Sequence, residues 1–76
     1  MDSRNINFEI EEEIGVISES ARAWTKELNL VSWNGAKAKL DIRDWSPAHE
    51  KMGKGITLTV EEAEVLYDLL GKYLKK

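Results

Sequence analysis

Trp33-Asn34-Gly35-Ala36-Lys37-Ala38-Lys39-Leu40-Asp41-Ile42-Arg43-Asp44-Trp45 alternates in character from end to end. Trp33, Lys37, Lys39, Arg43 and Trp45 share one parity, while Ala36, Ala38, Leu40 and Ile42 share the other. Strand side chains alternate between two faces, so the stretch reads as a strand with its aliphatic side on a core. The opposite side then carries two indoles and three cations on open surface. Flat rings beside positive charge complement nucleobases and phosphates, so single-stranded nucleic acid is the first ligand class to consider.

Working outward, Asn34-Gly35 is a two-residue hairpin signal, since a type I′ turn needs positive φ at both positions. A strand is therefore expected on its N-terminal side, from about Trp24 to Trp33. Earlier still, Phe8, Ile10, Ile14 and Val16 alternate with acids and predict a strand broken near Gly15, where a bulge or turn would fit, with Ser18–Ala23 turning the chain. Residues 1–5 are expected to be disordered. Ser46-Pro47 ends the basic strand, because proline has no N–H to give to a ladder. Ala48–Gly55 reads as a polar loop with Lys51 and Lys54, and Ile56–Leu58 as a short fourth strand. Thr59-Val60-Glu61-Glu62 is a capping box, opening a helix over about Val60–Tyr73. The whole reads as one α+β domain over residues 1–76: a four-stranded antiparallel sheet followed by a C-terminal helix.

On that helix Ala63, Leu66, Leu70 and Tyr73 form an apolar stripe, widened by Val65, Leu69 and Tyr67. A chain of 76 residues without cysteine has little core to bury and no disulfide to hold it. Association of two copies through this stripe, with Ala63, Leu66, Tyr67, Leu70 and Tyr73 at the interface, is one reading. A helix that merely covers its own sheet is the other. No apolar run approaches the roughly 20 residues of a membrane-spanning helix, and no leader pattern opens the chain, so a cytoplasmic protein without membrane attachment is expected, with association with the bacterial nucleoid as an option.

The net charge of −3 is unevenly placed. Residues 1–21 hold one base and six acids, a balance of −5; residues 22–54 hold seven bases and four acids, a balance of +3. Salt screens charges beyond about 8–10 Å, so the local basic segment decides the partner rather than the total. Arg22, Lys26, Lys37, Lys39, Arg43, Lys51 and Lys54 are its cations, and Asn29 joins them as a polar candidate on the second strand. Trp24 shares parity with Leu28 and Leu30, which places it in the core unless a bulge shifts the register; both readings stay open.

Other chemistry finds little support. Met52-Gly53-Lys54-Gly55 lacks the G-x-x-x-x-G-K-[ST] spacing of a phosphate-binding loop. Ser46, His49 and Asp44 lack a nucleophile-elbow setting, and His49, Glu50 and Asp44 make a poor metal set. No enzyme activity, cofactor, metal or small-molecule substrate is expected.

Leu40-Asp41-Ile42-Arg43-Asp44-Trp45, the lysine-bearing loop, Lys54-Gly55-Ile56-Thr57-Leu58-Thr59 and the acidic-apolar helix together resemble the transcriptional positive cofactor 4 family, particularly its short bacterial members of the YdbC type. The resemblance implies a curved β-β-β-β-α sheet, a homodimer formed through the helices, and sequence-tolerant binding of single-stranded DNA in transcription regulation, replication or repair. It assigns stacking to Trp33 and Trp45 and phosphate contact to Lys37, Arg43 and Lys54. The serine- and lysine-rich arm of the eukaryotic coactivators does not occur in these 76 residues, so phosphorylation control is not expected. An RNA-binding module and a protein-interaction dimer are the alternatives.

Overall fold

A computed structural model describes residues 7–75, so the expectation for residues 1–5 lies outside the described residues. The described residues form β1 (Phe8–Glu19), β2 (Thr25–Trp33), β3 (Lys39–Trp45), a 3-10 turn at Pro47–His49, β4 (Met52–Leu58) and α1 (Val60–Leu74). The strands pair antiparallel in the order β1-β2-β3-β4. Two elements are longer than their sequence signals. β1 continues through Gly15 to Glu19, and β4 starts at Met52, so Lys54 lies on a strand rather than in a loop.

The hairpin turn is as its residues require. Asn34 and Gly35 have φ of 52° and 78°, and the Ala36 N–H donates to the Trp33 carbonyl at 2.9 Å. The ladder does not resume at once. Continuing from a Trp33–Ala36 pair would set aliphatic residues opposite polar ones; instead Val31 pairs with Lys39, one residue out of step. That offset places Leu30 opposite Leu40 and Leu28 opposite Ile42. The apolar pattern, rather than the turn, fixes the register, and β3 begins three residues later than expected.

The sheet curls strongly. Trp33 and Thr25 are eight residues apart on β2, about 26 Å along a flat strand. Phe8 pairs with Trp33, and Trp45 pairs with Thr25. Yet the Phe8 ring lies 6.0 Å from Trp33 and 5.2 Å from Trp45, centroid to centroid. Only a sheet rolled toward that face brings its two ends together. The cause is in the ladders: β1 shifts register at three places and β3–β4 at one, and each bulge bends its strand and adds twist.

This roll reverses the expected inside and outside. Trp45 and Val31 are fully buried within the curl. The aliphatic face lies on the outer side, where Leu28, Leu30, Leu40, Ile42 and Leu58 are half-buried and Ile56 is exposed. Alternation separates two faces but does not say which of them will be concave.

Close approach of β4 to β3 depends on Gly55, which pairs with Arg43. A Cβ at this position would clash with the Arg43 Cβ and the Ile42 carbonyl oxygen. Both are fixed parts of β3. Gly55→Ala is expected to cost about 1–3 kcal/mol through overpacking, read as a lowered urea midpoint.

The capping box is complete. The Glu62 N–H donates to Thr59 Oγ1 at 3.0 Å, and the Thr59 N–H donates to Glu62 Oε1 at 2.9 Å. α1 touches β3 and β4, where Ala63 and Leu66 are half-buried, but no residue of the helix is fully buried. Tyr67, Leu70 and Tyr73, with Val65 and Leu69, remain exposed.

Candidate nucleic-acid interface

Three of the expected contact residues are held inside the fold. Trp45 has no exposed surface; Phe8 covers it on one side, and the His49 ring meets it edge-on at 5.2 Å. The expectation that Trp45 stands on open surface is therefore corrected. Arg43 is likewise not a free cation. Its Nε and Nη2 donate to the two carboxylate oxygens of the fully buried Asp41 at 2.7 and 2.9 Å, and Nη1 donates to the Gly53 carbonyl at 3.3 Å. Thr57 Oγ1 donates to Asp41 at 3.0 Å, closing the pair from β4. Asn29 is 1% exposed and donates to Glu27 at 3.0 Å, so it faces the interior as well.

Trp33 occupies the rim of the curl. It is half-buried, with Phe8 tilted against it and the Arg43 guanidinium carbon 4.8 Å from its ring centroid. A cation over an indole face is attractive in its own right, and it occupies ring surface that stacking would need.

The floor of the curl is a polar cluster that sequence inspection missed. Glu27 is buried and accepts from Thr25 and Asn29, and it lies 2.9 Å from His49 Nε2. His49 reaches it from the turn after β3, where Ala48 and His49 both adopt positive φ. Burial by itself would raise the Glu27 pKa. The hydrogen bonds from Thr25, Asn29 and His49, with the His49 charge, outweigh it and hold the carboxyl below its ordinary value of 4.5. A depressed folded-state pKa contributes stability that is present above the unfolded value and lost as pH falls through the folded one. Acid titration is therefore expected to show stability declining below about pH 4.5, and Glu27→Gln to flatten that limb in denaturation series across pH.

Of the expected contact cations, Arg22, Lys26, Lys37, Lys39, Lys51 and Lys54 are exposed. Among the described residues only Lys26 of these six makes an ion pair, to Asp44 at 3.3 Å, with both side chains about half exposed at 47% and 46%. Trp24 settles in a third position, neither core nor flat platform. It is half-buried just before β2 and forms a wall of a cleft of about 510 Å³ with Ser18, Glu19, Ser20, Arg22, Lys26 and Asp44. The cleft is shaped by the β1–β2 turn, in which the Ser20 N–H donates to the Trp24 carbonyl at 2.8 Å and Arg22 sits at the tip. One of its two carboxylates, Asp44, was legible in principle, because it pairs with Lys26 across the ladder; Glu19 is the other.

A curled four-stranded sheet, a capped C-terminal helix and a cleft where the Trp24 indole meets Arg22 and Lys26 define a small β-β-β-β-α module. The model of the family described as Transcriptional Coactivator p15 (PC4) matches residues 20–69, from the β1–β2 turn to the middle of α1. An uncharacterized protein of Treponema pallidum (strain Nichols) is 47% identical over 66 residues, covering 87% of this chain and 78% of that one. The chain belongs to the PC4 family, whose members bind nucleic acid in transcription.

Proposed function

We propose that this protein is a homodimeric, sequence-tolerant single-stranded DNA-binding protein, acting without catalysis in transcription regulation, replication or repair. The observation that carries this reading is the Trp24 cleft, where an accessible indole lies among Arg22 and Lys26. Lys37, Lys39, Lys51 and Lys54 add exposed positive charge for a backbone to follow. Stacking on one aromatic contributes roughly 1–3 kcal/mol per base. A duplex keeps its bases stacked on each other and cannot offer one to the cleft.

The dimer is supported by what one copy leaves uncovered. Among the described residues Val31 and Trp45 are the buried hydrophobics, while Tyr73 is 84% and Val65 57% exposed on α1. A helix whose apolar side remains in water finds its cover in a second copy.

Titration of one labelled oligonucleotide, as single strand and as duplex, at matched salt tests the function. The single strand is expected to bind at least about tenfold tighter, and its affinity to fall steeply with salt as counterions are released. Equal affinity for the two forms, or none for either, contradicts the proposal. A chain that sediments as a monomer at micromolar concentration contradicts the dimer.

A further inference from the structure

We propose that the Trp24 cleft reads one base of the bound strand and favours guanine there, with the Asp44 carboxylate as the reading group. The inference rests on the single-stranded DNA reading above and adds a specificity to it. A cleft built only to follow a sugar-phosphate backbone would be lined by donors, whereas this one holds two carboxylates, Glu19 and Asp44, of which Asp44 shares Gly53 with the indole. The two side chains converge over Gly53: a Cβ there would lie 3.3 Å from the Asp44 Cβ and 3.6 Å from a ring carbon of Trp24. The glycine leaves both side chains room, and a base stacked on the indole would bring its Watson–Crick edge to Asp44.

The chemistry of that edge selects the base. An ionised carboxylate only accepts, through two adjacent oxygens. Guanine presents two adjacent donors, N1–H and the N2 amino group, and so meets both oxygens at once. Adenine and cytosine each present one amino group next to a ring acceptor, whose lone pair would face the second oxygen. Thymine presents one N–H between two carbonyls. Single-stranded bases are read on this edge because it is not engaged in pairing.

The cleft also supplies what the carboxylate lacks. Lys26 now pairs with Asp44 at 3.3 Å, a half-exposed contact of the kind that contributes little to stability. When a base takes the carboxylate, Lys26 is released toward a flanking phosphate. Arg22, exposed at the turn tip, stands on the same cleft and offers a second cation.

The test uses labelled oligothymidylate and the same strand with one central guanosine, inosine or adenosine, each titrated by fluorescence anisotropy. The guanosine strand is expected to bind at least about fivefold tighter than all-thymidine, on the scale of one bidentate base contact. Inosine, which lacks the N2 amino group, should lose most of that gain. Adenosine controls for purine stacking and should gain less than twofold. Asp44→Asn should bring the guanosine preference close to one while strengthening all-thymidine binding, because an anion leaves the phosphate path. All-thymidine binding with no guanosine preference overturns this inference and leaves the single-strand reading intact, as does a preference that survives Asp44→Asn. Failure of every strand to bind overturns both.

Discussion

Trp45→Ala is expected to lose about 3–5 kcal/mol of stability, the range for emptying a buried large aromatic site. Trp45 is fully buried and is touched by Phe8 from β1 and by His49 from the turn before β4. Its removal opens a cavity where both ends of the rolled sheet meet, so the surroundings cannot collapse without unrolling. Trp45→Phe keeps most of the contact and is expected to cost far less. Urea denaturation at one protein concentration reads both variants, since dimerisation would make the midpoint concentration-dependent. If Trp45→Ala proves as stable as the parent chain but binds single strands poorly, the residue is a platform and the rolled sheet is wrong.

Asp41→Ala is the second large effect, again about 3–5 kcal/mol, the cost of leaving one member of a buried ion pair without its counterion. Asp41 is fully buried and takes two hydrogen bonds from Arg43, whose side chain is 15% exposed, and one from Thr57. The Thr57 bond, with the Arg43 Nη1 bond to the Gly53 carbonyl, ties this β3 pair to β4. Replacing both partners, as in Asp41→Leu with Arg43→Met, is expected to cost less than Asp41→Ala alone, because no charge is then stranded. A double-mutant cycle measures the coupling directly, and additive single effects would show that the pair contributes nothing as a pair.

Much of the fold was legible. The Asn34-Gly35 turn, the capping box at Thr59 and the alternation from Phe8 onward place four strands and a helix in order. What one strand's alternation does not contain is curvature. That arises from register shifts between strands, at Ile10/Glu12, Glu13/Gly15, Val16/Ser18 and Arg43/Trp45, which are properties of pairs. The aliphatic face therefore looked like the core and Trp33 and Trp45 like the surface; the roll buried Trp45, set Trp33 at its rim and left the aliphatic face half-buried.

The candidate site divides along the same line. Lys37, Lys39, Lys51, Lys54, Arg22 and Lys26 are exposed, as their charge requires. Arg43, Asn29 and Trp45 turn inward because they share a parity that became concave. Trp24 was ambiguous because two of its neighbours, Asp44 on β3 and Gly53 on β4, are far away in sequence.

The three indole N–H groups give the most direct test of the whole account, because each tryptophan has a different assignment. Two-dimensional NMR of the protein titrated with oligothymidylate should move the Trp24 indole resonance most and Trp33, at the rim, less. The Trp45 resonance should stay in place to saturation and exchange slowly with solvent. A Trp45 signal that moves with the ligand while Trp24 remains still would contradict the rolled sheet and the binding cleft together.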